Sequence, residues 1–362
     1  MTTGEPKKRR WVEVAVAALW VVAAPVTGRA DPAALPAKDR EAFCGSEEDL
    51  LDKKVCEGTR KRVMLTCRDA TSYVVMNEWY HELWRPYLEK AGGAYVGIAS
   101  DQNFTLIAWQ RAELAWMMDY DPLVVRVNQM HVAFIKASES IEVYLARFDK
   151  AEREKSQTLL RKEYEKHAEL KEILAAHRGL ANSIGAHLRK VRSVGKRRVS
   201  HWLHSAEDYA YLRALIQAGR LRVLKGDLLK DKTLAGIGKV SHQLKVPVRA
   251  IYLSNAEEFW PYPRTFRNNF IGLNMDDRTV VLRTRHSNKY GPKIGQYLYI
   301  VQGGKDFQKR LADAATHGLW NMMNARQPGR PGFFTIGIPV RPESKVAPQA
   351  RGGEKEPADE GQ

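Results

Sequence analysis

Acids, hydroxyls and amides gather at four points where an apolar run breaks off. These are Ser100-Asp101-Gln102-Asn103, Asp119 with Asp121, Gly226-Asp227, and Ser254-Asn255 with Glu257 just beyond. Side chains of these types can hold a small ligand, because carboxylates accept from its hydroxyl or ammonium groups while hydroxyls and amides both donate and accept. The same residues have plainer uses. Ser100 or Asp101 can cap a following helix, and Asp101 and Asn103 fit a cap and turn as well as a ligand contact. Ser254 and Asp227, with His286 or His317, are the residue types of a serine hydrolase. Ser254 follows Tyr252-Leu253, however, and no Gly-x-Ser-x-Gly elbow is present, so that chemistry is set aside and no catalytic residue is assigned. His201 and His204 share one helix face, and His81-Glu82 lacks the second histidine of a metalloprotease motif. No metal site is expected.

Those breaks need elements to position them. Ala94–Ala99 is short and apolar after the turn signal Gly92-Gly93. Phe104–Gln110 is too apolar for a surface loop, and Leu114–Met118 is a second apolar run closed by Asp119 and Asp121. The order strand, loop, helix, strand is the opening half of a nucleotide-binding α/β sheet, whose ligand lies at the C-terminal edge of the strands. The phosphate-binding G-x-G-x-x-G is missing, since only Ala99 and Ser100 follow Gly97. Leu221–Lys225, Val246–Leu253, Thr279–Arg285, Tyr297–Gln302 and Phe333–Val340 read as further strands. Pro122–Ala137, Lys232–Leu244, Arg264–Leu273 and Phe307–Met323 read as helices. Thr71–Glu89 reads as an aromatic-rich, core-facing helix. Ser138–Arg178 reads as a charged helical hairpin or a solvent-facing excursion whose charges solvate its faces. The alternation predicts an α/β fold with a doubly wound, mostly parallel sheet, an N-terminal helical segment and an inserted charged helical region.

With 362 residues the chain can bury a large core, and 44% hydrophobic content with nine tryptophans excludes a disordered chain. Lys7-Lys8-Arg9-Arg10, the uncharged stretch Val14–Thr27 and the small residues Gly28 and Ala30 have the layout of a secretory signal peptide. The stretch is shorter than the ~20 residues of a membrane-spanning helix, so no stable transmembrane span is expected after cleavage. If it were kept as an anchor, the main domain would still lie outside. The expected location is therefore the periplasm or the exterior of a bacterium. The formal charge is +16, and the part beyond residue 30 keeps +13 of it. A basic surface attracts anionic envelope polymers. Arg189–His201 is its densest segment. Nucleic acid is not an expected partner, because no RNP-like or zinc-finger pattern accompanies the charge. Cys44, Cys56 and Cys67 allow one disulfide in an oxidising compartment, and all three pairings are open. The expected organisation is a signal peptide at 1–30, a linker and cysteine-containing segment at 31–70, an α/β domain at 71–340 carrying a charged helical insertion at 138–205, and a disordered tail at 341–362.

Taken together, the strand ends resemble those of class I S-adenosylmethionine methyltransferases. The resemblance implies that Ser100–Asn103 holds the methionine part of the cofactor. It places Asp119 or Asp121 on the ribose, Gly226-Asp227 on the adenine, and Ser254-Asn255 with Glu257 on the substrate edge. More narrowly, SDQNF (Ser100–Phe104) and YLSNAEEF (Tyr252–Phe259) resemble a bacterial family of unknown function with a methyltransferase-like, Rossmann-like fold, over residues 73–340. The methyltransferase glycine loop is replaced here by GIASDQN. Ala99, Ser100 and Asp101 crowd a cofactor, and the Asp101 charge suits an amino group or sulfonium but repels phosphate. Two readings follow. One is an exported protein of uncharacterised function that binds a small molecule or an anionic envelope ligand on a scaffold with a degenerate cofactor site. The other is an S-adenosylmethionine-dependent methyltransferase of the cytoplasm. The first is preferred, because S-adenosylmethionine is held in the cytoplasm and the loop is altered. Fold alone decides neither.

Overall fold

Side-chain alternation along the strands sets up two apolar layers. In β3 (Ala94–Gly97), β4 (Leu114–Asp119) and the later strand at Val248–Tyr252, the residues Tyr95, Met117 and Tyr252 face one side. Val96, Trp116, Met118 and Ile251 face the other. Strands buried on both faces read as continuous apolar runs, as these do. The computed structural model describes residues 1, 32–51, 53–57, 65–194, 200–286, 289 and 291–341. The chain divides into Met1–Ala30 and Asp31–Gln362, and the elements of the described residues lie in the second. The expected signal peptide and the tail from residue 342 fall outside the described residues.

Helix α1 (Ala37–Cys44) and a small ribbon of β1 (Lys54–Val55) with β2 (Cys67–Arg68) come first, then the single turn α2 (Arg85–Leu88). After β3 come α3 (Gln102–Gln110), β4, α4 (Pro122–Ala137), α5 (Ile141–Ala146), α6 (Arg153–Glu163), α7 (Leu170–Val194) and α8 (Ala206–Gln217). The chain continues with β5 (Leu221–Lys225), α9 (Thr233–Gln243), β6 (Val248–Tyr252), α10 (Arg264–Ile271), β7 (Val280–Arg285) and β8 (Leu298–Gly303). It ends with α11 (Gly304–Ala312), α12 (Leu319–Met323), β9 (Arg326–Arg330) and β10 (Phe333–Ile336). Eight strands form one sheet in the order β5-β4-β3-β6-β7-β8-β10-β9. The five from β5 to β7 are parallel, β7–β8 and β10–β9 are antiparallel, and β8–β10 is parallel. The protein is thus α/β with a mostly parallel, mixed sheet. Strands β3, β4 and β5 grow in one direction and β6 and β7 in the other. This leaves a switch point between the carboxyl ends of β3 and β6, where open α/β sheets bind ligands.

Three stretches differ from the sequence expectation. Thr71–Tyr80 is not helical. Its backbone is taken by partners far along the chain: Met76 N–H donates to Asp101 Oδ1 (2.7 Å), Tyr80 N–H to the Tyr299 hydroxyl (3.1 Å), and Val74 C=O accepts from Ser100 Oγ (2.6 Å). Tertiary bonds of this kind override a weak periodic signal. The charged region is not a solvent-facing excursion. Helix α7 packs along α4 and buries Ile173, Ile184, Leu188 and Val191, while its outer face carries ion pairs such as Arg189–Asp149 and Arg192–Glu142. The expected helix Phe307–Met323 is two helices, α11 and α12, with a break between Asp313 and Gly318.

Strand β9, RQPGR, has no β-propensity and was not expected. It is an exposed edge strand, where a proline is tolerated because one side of the ladder is unpaired. At the opposite edge, β5 is covered by the N-terminal segment. Asp49 N–H donates to Lys225 C=O (3.2 Å), Lys225 N–H to Glu48 Oε2 (3.0 Å), and Arg222 to Phe43 C=O (2.9 Å). Among the described residues no helix is long and apolar enough to cross a membrane.

Candidate functional site

A cavity of about 550 Å³ opens at the carboxyl ends of β3 to β6. Of the residues singled out in the sequence, Gln102, Asp119, Asp121, Gly226, Asp227, Ser254 and Asn255 line it. Asp119 closes β4. Its Oδ2 accepts from Ala99 N–H (2.9 Å) and its Oδ1 from Asp121 N–H (2.8 Å). Three backbone N–H groups, those of Ala99, Asp121 and Tyr120, thus bond the carboxylate, which leaves one lone pair for a ligand donor. Burial pushes this carboxyl up to about 7, against the backbone N–H groups of Asp121, Ala99 and Tyr120 that favour its charge, and the neighbouring Asp121 carboxylate adds to the rise. To hand its N–H to Asp119, Ala99 takes a left-handed backbone (φ 68°), which costs a non-glycine residue on the order of 1 kcal/mol.

Asp121 caps α4, accepting from Leu123 N–H (2.8 Å), and its other oxygen accepts from Ser72 Oγ (2.6 Å) and Arg68 (3.5 Å). A Cβ at Gly226 would lie 2.5 Å from Met118 Cε and 2.9 Å from Thr233 Cγ2, so a larger residue there requires both side chains to shift. Asp227 accepts from Leu229 N–H (2.9 Å) and is paired with Lys53 Nζ (2.7 Å). Lys53 and Arg68 flank a disulfide between Cys56 and Cys67, which closes the β1–β2 ribbon and leaves Cys44 as an exposed thiol.

Ser100, Asp101, Asn103 and Glu257 do not reach the cavity wall. Each is spent on the fold. Asn103 accepts from the Tyr95 hydroxyl (2.6 Å) and donates to Ile98 C=O (2.8 Å) and Ser100 C=O (2.7 Å). Gly97 lies beneath that Tyr95–Asn103 bond, where a Cβ would collide with both partners. Asp101 turns inward to Met76 N–H and faces His201 Nε2 at 3.5 Å and His187 Nε2 at 4.0 Å. Burial alone would raise the Asp101 carboxyl. The His201 hydrogen bond and the neighbouring histidines outweigh it and hold the group below its ordinary value. Burial in turn lowers His201 to about 4. The pair is therefore a carboxylate accepting from a neutral imidazole, whose Nδ1 accepts from Leu203 N–H (3.3 Å). His204 turns away to the Val191 and Arg192 carbonyls (3.1 and 3.2 Å). Glu257 pairs with the buried Arg283 (3.0 Å) and accepts from the Tyr262 hydroxyl (2.5 Å). Among the described residues no group of three or more His, Cys, Asp or Glu could hold a metal ion.

The sequence reading missed Glu78 and the segment that crosses the cavity mouth. Glu78 is buried under the floor. It accepts from the hydroxyls of Tyr252 (2.7 Å), Ser254 (2.7 Å) and Thr284 (2.6 Å), while Gln102 Nε2 donates to Tyr252 (2.7 Å). Burial raises Glu78 above its ordinary value despite these bonds. Ser254, like Ala99, has a left-handed backbone (φ 48°). Lys53 lines the wall, the segment from Asp69 to Asn77 supplies Asp69, Thr71, Tyr73, Val75 and Asn77 to it, and Tyr120, Phe259, Trp260, His286 and Tyr297 also line it. The available signal for Glu78 was a carboxylate inside the aromatic run Tyr73–Trp84.

No curated protein matches the chain. A family model described as a domain of unknown function (DUF7790) matches residues 73–336, from the segment over the cavity to the end of β10. The chain belongs to that family, one of unknown function, as the blocks at Ser100–Phe104 and Tyr252–Phe259 suggest.

Proposed function

We propose that the chain is an exported protein that binds a small molecule in the strand-end cavity of a methyltransferase-like, Rossmann-like scaffold. The observation that carries this reading is the cavity at the β3/β6 switch point, of ordinary ligand-pocket size and with Asp119 on its wall. Ile98, Val124, Leu228, Phe259 and Trp260 give it apolar and aromatic walls for a flat group. Asp119, Ser254 and Asn255 offer acceptors and donors for hydroxyls. A nucleoside-sized ligand with adjacent hydroxyls fits that chemistry. The order β5-β4-β3-β6-β7 supports the scaffold, since nucleotide-binding halves place the acid ending the second strand beside the ribose. The Cys56–Cys67 disulfide supports an oxidising compartment, in line with a signal peptide at 1–30 and a mature chain from Asp31.

A cytoplasmic S-adenosylmethionine-dependent methyltransferase is the second reading. Asp119 and Asp227, closing β4 and β5 on the cavity, favour it. Two things weigh against it: Asp101 is committed to the interior and Lys53 sits on Asp227.

The test is calorimetric titration of the full chain with adenosine, S-adenosylmethionine and S-adenosylhomocysteine. Micromolar binding that is lost in Asp119→Ala and kept in Asp149→Ala, a substitution on the outer helical layer, supports the ligand site. Binding of S-adenosylmethionine with methyl transfer to an acceptor moves the balance to the second reading. No heat and no thermal shift with any of the three, with both variants unfolding alike, would sink the assignment. Export is tested by intact mass from a bacterial host, which should fit a chain starting near Asp31.

A further inference from the structure

We infer that Ser254 is a nucleophile toward ester carbonyls, with Glu78 as the base that takes its proton. This rests on the cavity being a ligand site, and it goes beyond binding. The serine lies two residues beyond the end of β6 at the carboxyl edge of the sheet, on the wall of the cavity. Its left-handed backbone is held in place on both sides: Leu253 N–H donates to Leu282 C=O (2.9 Å), and Ser254 C=O accepts from Thr284 N–H (2.9 Å). A strained residue of this kind at a strand end exposes its side chain to a ligand, as the serine of a nucleophile elbow is exposed. Here the serine itself carries the strain, between Leu253 and Asn255, so no glycine motif announces it.

The Ser254 Oγ–H already points at a carboxylate, Glu78 Oε1, at 2.7 Å. Thr284 and Tyr252 donate to the same carboxylate and fix its orientation, the part played by the third member of a nucleophile–base–orienter set. Burial makes Glu78 more basic than an exposed glutamate, and this favours proton transfer. Asn255, on the same wall, brings an amide of the type that stabilises an oxyanion.

The step balances without any other reactant than water. The Oγ–H proton passes to Glu78, Oγ bonds to the ester carbon, and the ester C–O bond breaks. The leaving oxygen takes the proton from Glu78. Water then adds to the acyl-serine and gives a proton to Glu78, and the acid departs with Ser254 restored. The substrate class is a small ester with an apolar or aromatic part suited to Phe259 and Trp260.

The experiment treats the full chain with p-nitrophenyl acetate and follows nitrophenolate release together with intact mass and peptide mapping. One acetyl group should appear on Ser254, and Ser254→Ala should stay unmodified while still unfolding cooperatively, at a midpoint lowered by the loss of one hydrogen bond to Glu78. Glu78→Gln should slow acetylation by roughly 100-fold or more. If that variant does not fold, the pH profiles of Asp119→Asn and Glu258→Gln, each lacking one of the other raised carboxyls on the cavity wall, decide. The rate should level off after one ionisation above the ordinary glutamate range. A rate that keeps rising with hydroxide overturns the role of Glu78. Acetylation only on lysines, or an equal rate in Ser254→Ala, overturns the role of Ser254. If adenosine binds but Ser254 stays unmodified, the nucleophile fails and the ligand site stands. Acetylation of Ser254 without any nucleoside binding supports the nucleophile and removes the nucleoside reading.

Discussion

Asp119 reports the electrostatics of the cavity through the stability of the whole protein. Folding leaves it 7% exposed and raises its carboxyl from 3.8 to about 7, with burial as the main cause and Asp121 adding to it. A rise of about three units at ~1.4 kcal/mol each amounts to about 4 kcal/mol. Because the folded value is the higher one, the folded chain keeps a proton that the unfolded chain gives up. The associated stability is fully present below pH 3.8, falls as pH rises from there to about 7, and is lost above that. With an unfolding entropy of ~2.1 cal/mol/K per residue over Asp31–Gln362, about 4 kcal/mol corresponds to roughly 6 °C of thermal midpoint. Burial also raises Glu78, Glu257 and Glu258, so the pH curve of the unaltered protein mixes several groups. Asp119→Asn isolates one of them. It removes the titration and keeps a carbonyl for Ala99 N–H or Asp121 N–H. Thermal midpoints of both proteins followed by circular dichroism from about pH 4 to about pH 8 should diverge by roughly 6 °C, with the variant gaining at high pH. A difference that stays constant across that range would mean Asp119 is ionised throughout, and the argument from its burial would fail.

Three other outcomes follow from the packing. Glu257→Ala leaves the Arg283 guanidinium buried without its carboxylate and should lower stability by about 3–5 kcal/mol in urea. The double change Glu257→Leu with Arg283→Met should recover most of this, and a double change as costly as the single one would refute the pairing. Leu188→Ala, on the buried face of α7, should lose about 2–5 kcal/mol, against less than ~0.5 for exposed Lys171→Ala. Equal small losses would restore the reading of a solvent-facing excursion. Reduction of Cys56–Cys67 frees a short loop, with a separation of 11 residues, and should lower stability by at most about 3 kcal/mol. An unchanged thermal midpoint with reductant would show that closing the ribbon adds nothing to the contacts of Lys53 with Asp227 and of Arg68 with Asp121.

Local pattern carried the parts of the fold that local physics decides. Buried strands such as Leu114–Met118 and the amphipathic α4 announce themselves, because apolar runs and a 3.6-residue period have few other uses. The order of acids at the strand ends likewise led to residues that share one cavity wall. What stayed illegible depends on partners distant in sequence. Thr71–Tyr80 has the spacing of a helix and gives its backbone to Asp101, Ser100 and Tyr299 instead. Asp101 and Asp119 look alike in sequence. Met76 N–H and the distant His187 and His201 hold the first inward. Glu78 could not be placed without Tyr252 in β6, Ser254 just beyond it and Thr284 in β7, all far downstream. The left-handed backbone at Ser254 had no glycine to mark it.

The two rims of the large sheet bear on self-association. Fibril growth by strand addition starts where a sheet offers unpaired N–H and C=O groups. On one rim, β9 presents Arg326, Pro328 and Arg330: two charges that repel their copies and a residue with no N–H to give. On the other, Phe43, Glu48 and Asp49 already hold groups of β5, so an incoming chain would first have to peel them away. Polymerisation is thereby opposed by repulsion at one rim and by competition at the other. A cut that released the segment around Glu48 would disarm only the second.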